Sequence, residues 1–319
     1  MKKIEQLIVL IVVVCLKCTG TSAQTTTIIE KDRPFVVILG TAQDAGAPHI
    51  GCKKACCKAL FKHPELRQNV VSLGIIDPEN KTKYIIECTP DFTIQAKALM
   101  EYCPFSGKEM LDGIFISHAH IGHYAGLMYL GKEAISADKV PVYAMPGMRR
   151  FLETNGPWSQ LVNYKNIELK SLENKQKTKL SDNLSIKPLQ VPHRDEFSET
   201  VGFIIEGPLK KVLFIPDIDK WEKWSLDIIE VIKEVDYAFI DGTFYDGEEI
   251  NNRNISEIPH PFIVESMFLF KDLPEIEKNK IQFIHLNHTN GALNPDSIQS
   301  RTILANGFNV ARMNQIIQL

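Results

Sequence analysis

Three histidines fall within six positions in Ser117-His-Ala-His-Ile-Gly-His123. Neutral imidazole is a good ligand for a borderline cation such as zinc, at distances of about 2.0–2.1 Å. His118 and His120 are two apart, so on an extended segment their rings point the same way. His123 lies three further on, where a tightening turn swings it back toward the first two. Such clustering in a chain of nine histidines points to metal binding, whereas an isolated ring such as His63 reads as solvated or hydrogen-bonded. Other ligand-type side chains each follow an apolar run. His193 follows Leu189-Gln-Val-Pro, Asp217 follows Leu213-Phe-Ile-Pro and His285 follows Ile281-Gln-Phe-Ile. Ends of neighbouring strands converge on one rim, so four separate segments can share one pocket.

The elements that must position these side chains are legible as short apolar runs. Strands are expected at 35–39, 70–76, 84–88, 113–117, 140–143, 184–189, 200–205, 211–215, 237–240 and 281–284. Helical spacing covers 92–102, and further helices are expected at 58–63, 145–155, 222–234 and 260–271. Strands and helices are interspersed, yet several neighbouring strands are joined by short turns such as Asp77-Pro-Glu-Asn80. That combination favours an α/β fold of mixed sheets with helices outside. No fixed-period repeat and no Ser/Gly/Pro linker divides the chain, so one domain is expected.

Composition bounds the function. The chain has 319 residues, 24% charged and 44% apolar, with a formal net charge of −3. Without a Lys/Arg block there is no basic patch to neutralise phosphates, which argues against a nucleic-acid binder. Residues 1–23 read as an export signal: Lys2 and Lys3, an apolar run from Leu7 to Leu16 too short to span a bilayer, then Thr21-Ser22-Ala23. The domain then covers 24–319. The expectation is a periplasmic or secreted protein with no stable membrane span after cleavage, a small-molecule substrate, and homodimerisation left open. The Gly-rich stretch 40–51 has no phosphate-loop Lys-Ser/Thr pair, so nucleotide binding is not expected.

Ser-His-Ala-His-Ile-Gly-His resembles the His-x-His-x-Asp-His signature of the metallo-β-lactamase fold superfamily. His193, Asp217 and His285 fall in the order of its later ligands. The segment 39–52, the Cys88-Thr-Pro-Asp91 turn and Phe283-Ile-His-Leu-Asn-His-Thr-Asn290 are similar to the branch containing the PQQ-biosynthesis protein B family and the phosphodiesterases of phosphonate degradation. The resemblance spans roughly residues 35 to 317. It implies a four-layer αβ/βα sandwich with a metal site on one edge. By carry-over, His118, His120 and His193 hold a first ion, while His123, Asp217 and His285 serve a second, with Asp217 bridging. The signature's Asp is replaced here by Gly122, which supplies no ligand. Three outcomes stay open: a weak or empty second site, a substitute carboxylate from Asp44 with His49 also in reach, or a site converted to binding alone.

The segment Gly51-Cys-Lys-Lys-Ala-Cys-Cys57 holds a second group. The resemblance implies a structural zinc here, with Cys52, Cys56, Cys57 and His288 as ligands and Lys54 standing where a further cysteine would be. A disulfide involving Cys52 is the rival in an oxidising compartment. Cys88 and Cys103 read as buried thiols, with a mutual bridge as the rival. Asp219, Asp241 and His260 are open to supporting roles, and Trp158, Trp221 and Trp224 to packing or a groove wall.

The sequence thus leads to an exported hydrolase that uses one or two catalytic zinc ions, or manganese or iron in their place. The substrate class is a small ester, lactone or phosphodiester. Asp217 is the catalytic candidate, orienting the attacking water and later protonating the leaving group. An iron-dependent oxygenase similar to PQQ-biosynthesis protein B and a non-catalytic metal-stabilised binding protein are the alternatives.

Overall fold

The computed structural model describes residues 32–106, 109–250 and 257–319. The expected export segment 1–23 lies outside them. Runs that alternate in register but are apolar throughout become strands buried on both faces. In β1 (Phe35–Gly40), Val36 and Ile38 face one way while Phe35, Val37 and Leu39 face the other, and all are buried. Among the described residues, fourteen strands build two seven-stranded sheets. The first holds β1, β2 (Ser72–Asp77), β3 (Thr82–Ile86), β4 (Gly113–Phe115), β5 (Val140–Ala144) and β6 (Ile167–Ser171). The second holds β7 (Thr178–Lys179), β8 (Ser185–Val191), β9 (Thr200–Glu206), β10 (Lys211–Ile215), β11 (Tyr237–Asp241), β12 (Ile281–Ile284) and β13 (Asn309–Val310). The last strand, β14 (Ile316–Gln318), returns to the first sheet beside β1.

Both sheets are mixed, as the turn pattern suggested. β14, β1, β2 and β3 pair antiparallel and β3 to β6 parallel. β7 to β10 pair antiparallel and β10 to β13 parallel. Between the sheets lies a core of Val36, Ile38, Phe115, Val201, Phe203, Val212, Phe214 and Phe239. The outer face of the first sheet packs on the helices Phe92–Glu101 and Pro146–Thr154 through Leu99, Met148 and Leu152. The outer face of the second packs on Ile228–Lys233, Ile263–Leu269 and Ile298–Ala305 through Ile232, Ile263 and Ile303. Burying each such side chain is worth about 1.5–3 kcal/mol, so the four-layer αβ/βα sandwich is the arrangement that covers every apolar face.

The expected helix over 222–234 is in two pieces: a single turn at Trp221–Lys223, then Ile228–Lys233. Asp227 stops them from merging, because its side chain accepts the Ile229 N–H as an N-cap. Strands β6, β13 and β14 carry too few consecutive apolar residues for periodicity alone to reveal.

Candidate metal centre

The site forms where strands release the chain at one edge. Glu87 follows β3, Ser117 and His118 follow β4, His193 follows β8, Asp217 follows β10, Asp241 ends β11 and His285 follows β12. Most of these are the carboxyl ends of parallel strands, where open α/β sheets leave a crevice. The backbone is held in left-handed conformations at Asp44 (φ +29°), Glu87 (+72°) and His285 (+63°). Such conformations cost non-glycine residues of order 1–3 kcal/mol and concentrate at functional sites.

The structure brings the first three predicted ligands together with Asp217. His118 Nε2 and His120 Nδ1 are 2.8 Å apart, His118 Nε2 lies 3.4 Å from Asp217 Oδ2, and His193 Nε2 lies 3.3 Å from Asp217 Oδ1. Ligands about 2.0–2.1 Å from one tetrahedral ion sit about 3.3 Å from each other. The ligand atoms of all four residues lie within 4.8 Å of one another. A second group forms beside it from Asp44, His123 and His285. His123 Nε2 is 3.5 Å from Asp44 Oδ1 and 3.8 Å from Asp217 Oδ2, and His285 Nε2 is 3.9 Å from Asp44 Oδ1. Asp217 therefore stands between the two groups.

Asp44 fills the room that the glycine of the motif leaves. A Cβ on Gly122 would lie 2.5 Å from Asp44 Oδ1 and 2.6 Å from Asp44 Cα. His49 goes elsewhere: its ring stacks on His288 at 4.5 Å and its N–H donates to Cys57 Sγ at 3.3 Å. It is thus placed with the cysteine group rather than beside His123.

The chemistry of the donors fits a cation. His193 Nε2, His123 Nε2, His285 Nε2, Asp44 Oδ1 and Asp217 Oδ1 are buried without a hydrogen-bond partner. Each such group costs about 1–3 kcal/mol when left unsatisfied, and a shared cation would engage them together. The opposite ring nitrogens are anchored: His118 Nδ1 by Ser117 Oγ at 2.8 Å, His285 Nδ1 by Thr243 Oγ1 at 2.9 Å, His193 Nδ1 by Asp219 Oδ1 at 3.2 Å and His120 Nε2 by Glu196 Oε2 at 3.1 Å. His123 Nδ1 faces the buried Glu87 carboxylate at 3.5 Å. Anchoring of this kind fixes ring orientation and the free nitrogen.

The electrostatics are those of a cation trap. Burial opposes the charged form of Asp217, but the positive charges of His193, His260 and His285 outweigh it and hold the carboxyl well below the usual range. Burial likewise opposes ionisation of Asp44, and His123 and His285 reverse that, keeping it ionised. Burial disfavours a charged His123, yet the charges of Glu87 and Asp44 push its imidazole up to about 10. Burial and the neighbouring His123 keep His118 neutral. A ligating imidazole must be neutral, so an ion held by His123 would have to displace its proton.

His260 completes the centre. Its Nδ1 lies 3.1 Å from Asp217 Oδ1 and 2.9 Å from Asp241 Oδ2, and Asp241, Asp217 and His260 form a further ligand-type group. The carboxylates of Asp241 and Asp217 more than offset burial and raise its pKa well above the ordinary value. Glu87 was missed in the sequence, although it is the one charged residue in the run Tyr84-Ile-Ile-Glu-Cys88. Thr243, Ser117 and Glu196 have no comparable sequence signal.

The cysteine group also assembles. Cys52, Cys57 and His288 present ligand atoms within 4.8 Å of one another. Cys56 Sγ lies 3.8 Å from Cys52 Sγ and 4.0 Å from Cys57 Sγ. The five described cysteines are unbridged.

A family model described as "Beta-lactamase superfamily domain" matches residues 82–286. Coenzyme PQQ synthesis protein B of Methylorubrum extorquens (strain PA1) is 21% identical over 297 residues, covering 86% of this chain and 97% of that protein. The crystal structure of Zn(2+)-bound PqqB from Methylobacterium extorquens superimposes with a TM-score of 0.75 at 20% identity, covering 89% of this chain and all of that one. A diphosphatase from the PhnP family superimposes at 0.61 and 20% identity, covering 90% and 97%. At these identities the structural likeness carries the fold.

Proposed function

The chain belongs to the β-lactamase superfamily, and from that premise we propose that it is a metal-dependent hydrolase of a small ester, lactone or phosphodiester. The observation that carries the reading is the position of Asp217 between two groups of ligand-type side chains, five of whose ligand atoms are buried without a hydrogen-bond partner. His118, His120 and His193 would hold one ion and His123, His285 and Asp44 another, with zinc as the leading candidate. When bound, such an ion supplies Lewis acidity and brings the pKa of water from 15.7 down toward about 7.

The protein's own part is orientation and proton handling. Asp217, ionised and fixed by His118 and His193, orients the attacking water. Hydrolysis adds water across the ester bond, so the leaving oxygen must gain a proton. His260, with Nδ1 bonded to Asp241 Oδ2 at 2.9 Å and 3.1 Å from Asp217 Oδ1, is placed to supply one at the centre. The cysteine group would hold a structural zinc that ties the segment after β1 to the loop after β12.

Residues 1–23 support export as part of this reading. Among the described residues no helix is long and apolar enough to cross a membrane. N-terminal sequencing of protein recovered outside the inner membrane, beginning at Gln24, would support cleavage.

The near-full-length likeness to the PQQ synthesis proteins B favours a second reading. In it, the chain takes part in coenzyme synthesis, with iron in the centre and oxygenation as the reaction. Metal content by mass spectrometry, paired with turnover of p-nitrophenyl esters, lactones and bis(p-nitrophenyl) phosphate, separates the two. Hydrolysis lost on His120→Ala supports the first reading. Iron-loaded protein that hydrolyses nothing across the panel overturns it.

A further inference from the structure

The segment between the loop after β1 and strand β2 has little packing of its own. From Ile50 to Arg67 the only buried residue is Cys57. Its helix, Ala55–Lys62, has eight residues, and the N-cap residue Lys54 gives it no side-chain hydrogen bond. Helices shorter than about 12–15 residues are marginal in water without tertiary support. The support here gathers at the cysteines. Cys57 Sγ accepts the His49 N–H at 3.3 Å, and Cys52, Cys57 and His288 present ligand atoms within 4.8 Å of one another. These three side chains form a clasp in place of the apolar core that the segment lacks.

Cys56 is a further thiol beside the clasp and outside that group of three. Its Sγ lies 3.8 Å from Cys52 Sγ and 4.0 Å from Cys57 Sγ. Exposure separates the two neighbours: Cys56 is exposed and Cys52 half-buried, whereas Cys57 is buried. A solute therefore reaches the pair Cys52 and Cys56 and is kept from Cys57. Disulfide sulfurs sit about 2.0 Å apart, so this pair must close by about 1.8 Å, which side-chain rotation can supply. Cys56 also borders a cavity of about 490 Å³ shared with Leu60, Leu66 and His288, which leaves room for a small oxidant.

Building on the reading that the cysteine group holds a structural zinc, we propose that Cys52 and Cys56 are a modification site for hydrogen peroxide, and that the disulfide they form opens the clasp. The Cys52 thiolate attacks one peroxide oxygen and is oxidised to a sulfenic acid. The O–O bond breaks, and the other oxygen takes a proton and leaves as water. The Cys56 sulfur then attacks the Cys52 sulfur, forming the S–S bond, and the departing hydroxyl leaves with the thiol proton as a second water. Two thiols and one peroxide thus become one disulfide and two waters. Cys57 and His288 remain as two ligands, short of the four that a structural zinc takes. The segment 50–67 then loses the tie that holds it.

The test treats the zinc-loaded, full-length protein with hydrogen peroxide, desalts it, and compares it with untreated protein by metal analysis and by mass spectrometry of alkylated peptides. The treated protein should hold one zinc fewer per chain and carry a Cys52–Cys56 link. Its Cys57 should become open to alkylation, and trypsin should cut faster after Lys58 and Lys62. A thiol reductant with added zinc should restore all four properties. Cys56→Ser, which leaves Cys52, Cys57 and His288 in place, should keep its zinc when untreated and form no link when treated. Retention of zinc with all thiols intact under peroxide overturns the proposal, as does a bridge that runs through Cys57 or joins Cys88 to Cys103. Untreated Cys56→Ser that lacks the ion makes Cys56 a necessary ligand and overturns its part as a further thiol. A reduced protein that forms the Cys52–Cys56 link but never holds zinc at the group supports the oxidation site and overturns the structural-zinc reading instead.

Discussion

Gly122 and Asp44 compete for one volume, and Gly122→Ala tests whether that competition built the second metal group. The added Cβ would lie 2.6 Å from Asp44 Cα, where ordinary contact begins near 3.4 Å. The obstacle is backbone, so no rotamer change relieves it and the loop must retreat by about 0.8 Å. Overpacking of this kind costs about 1–3 kcal/mol. At about 2–4 °C per kcal/mol for a large domain, the metal-free protein should melt roughly 2–12 °C lower. The same retreat carries the Asp44 carboxylate away from His123 and His285, and metal–ligand distances tolerate only about ±0.2 Å. Second-ion affinity should therefore fall along with stability. Asp44→Gly separates the two effects: it removes the ligand without overpacking the loop, and it relaxes a backbone held at φ +29°. It should lose the second ion at little cost in melting temperature. Thermal melts of the metal-free variants and competition titration with a chromophoric chelator read both quantities. A Gly122→Ala protein that melts normally and binds its metals normally would refute the shared-volume reasoning.

Asp219→Asn weakens the anchor on His193 Nδ1; metal affinity should drop about 10- to 100-fold, and an unchanged chelator titration would contradict that role. Cys52→Ser with Cys57→Ser should remove one ion per chain and lower the melting temperature, as counted by metal analysis after exhaustive dialysis; unchanged stoichiometry would remove the structural zinc. Burial pushes the Glu249 carboxyl up to about 7, against an ordinary value of 4.5, despite opposing hydrogen bonds from Tyr245 and Thr289. A raised folded pKa means the stability this group contributes is present below about pH 4.5 and lost as pH rises through about 7. Denaturation between these values should show a falling component of at most about 1.4 kcal/mol per pH unit that Glu249→Gln abolishes.

The fold was legible because its strands are apolar on both faces and therefore stand out as runs. Runs such as Lys211–Ile215 and Ile281–Ile284 sit where expected. Edge strands such as Ile167–Ser171, with one apolar face and exposed charge on the other, carry a fainter pattern. The histidine cluster was legible from spacing alone, since a strand end and one turn are enough to gather 118, 120 and 123. Asp44 could be named as a candidate only because Gly122 left a carboxylate unaccounted for. Its selection depends on where the loop after β1 crosses the helix Ile121–Tyr124, which is a tertiary fact. His49 illustrates the limit: five residues from Asp44, it joins the cysteine group, and no local pattern distinguishes the two destinations. Glu87 shows the reverse, a charge within a buried strand end that composition marks and only the position of His123 explains.

The three left-handed residues connect that site to the stability of the whole. Asp44, Glu87 and His285 lie in different segments, yet each adopts a positive φ where its strand or loop delivers a side chain to the second metal group or to the ring of His123. At about 1–3 kcal/mol apiece, this conformational cost falls on the same few residues as the partnerless buried nitrogens and oxygens. The two packed cores hold the segments in place, so the cost cannot be relieved by letting the loops relax. A cation in the second group would engage the orphaned atoms without altering the backbone, and its binding energy would appear directly as folding stability, growing as RT ln(1 + [L]/Kd). The substitution of glycine for the motif's aspartate is on this account a relocation of charge from one loop to another, made feasible because the glycine gave up the volume that the new carboxylate occupies.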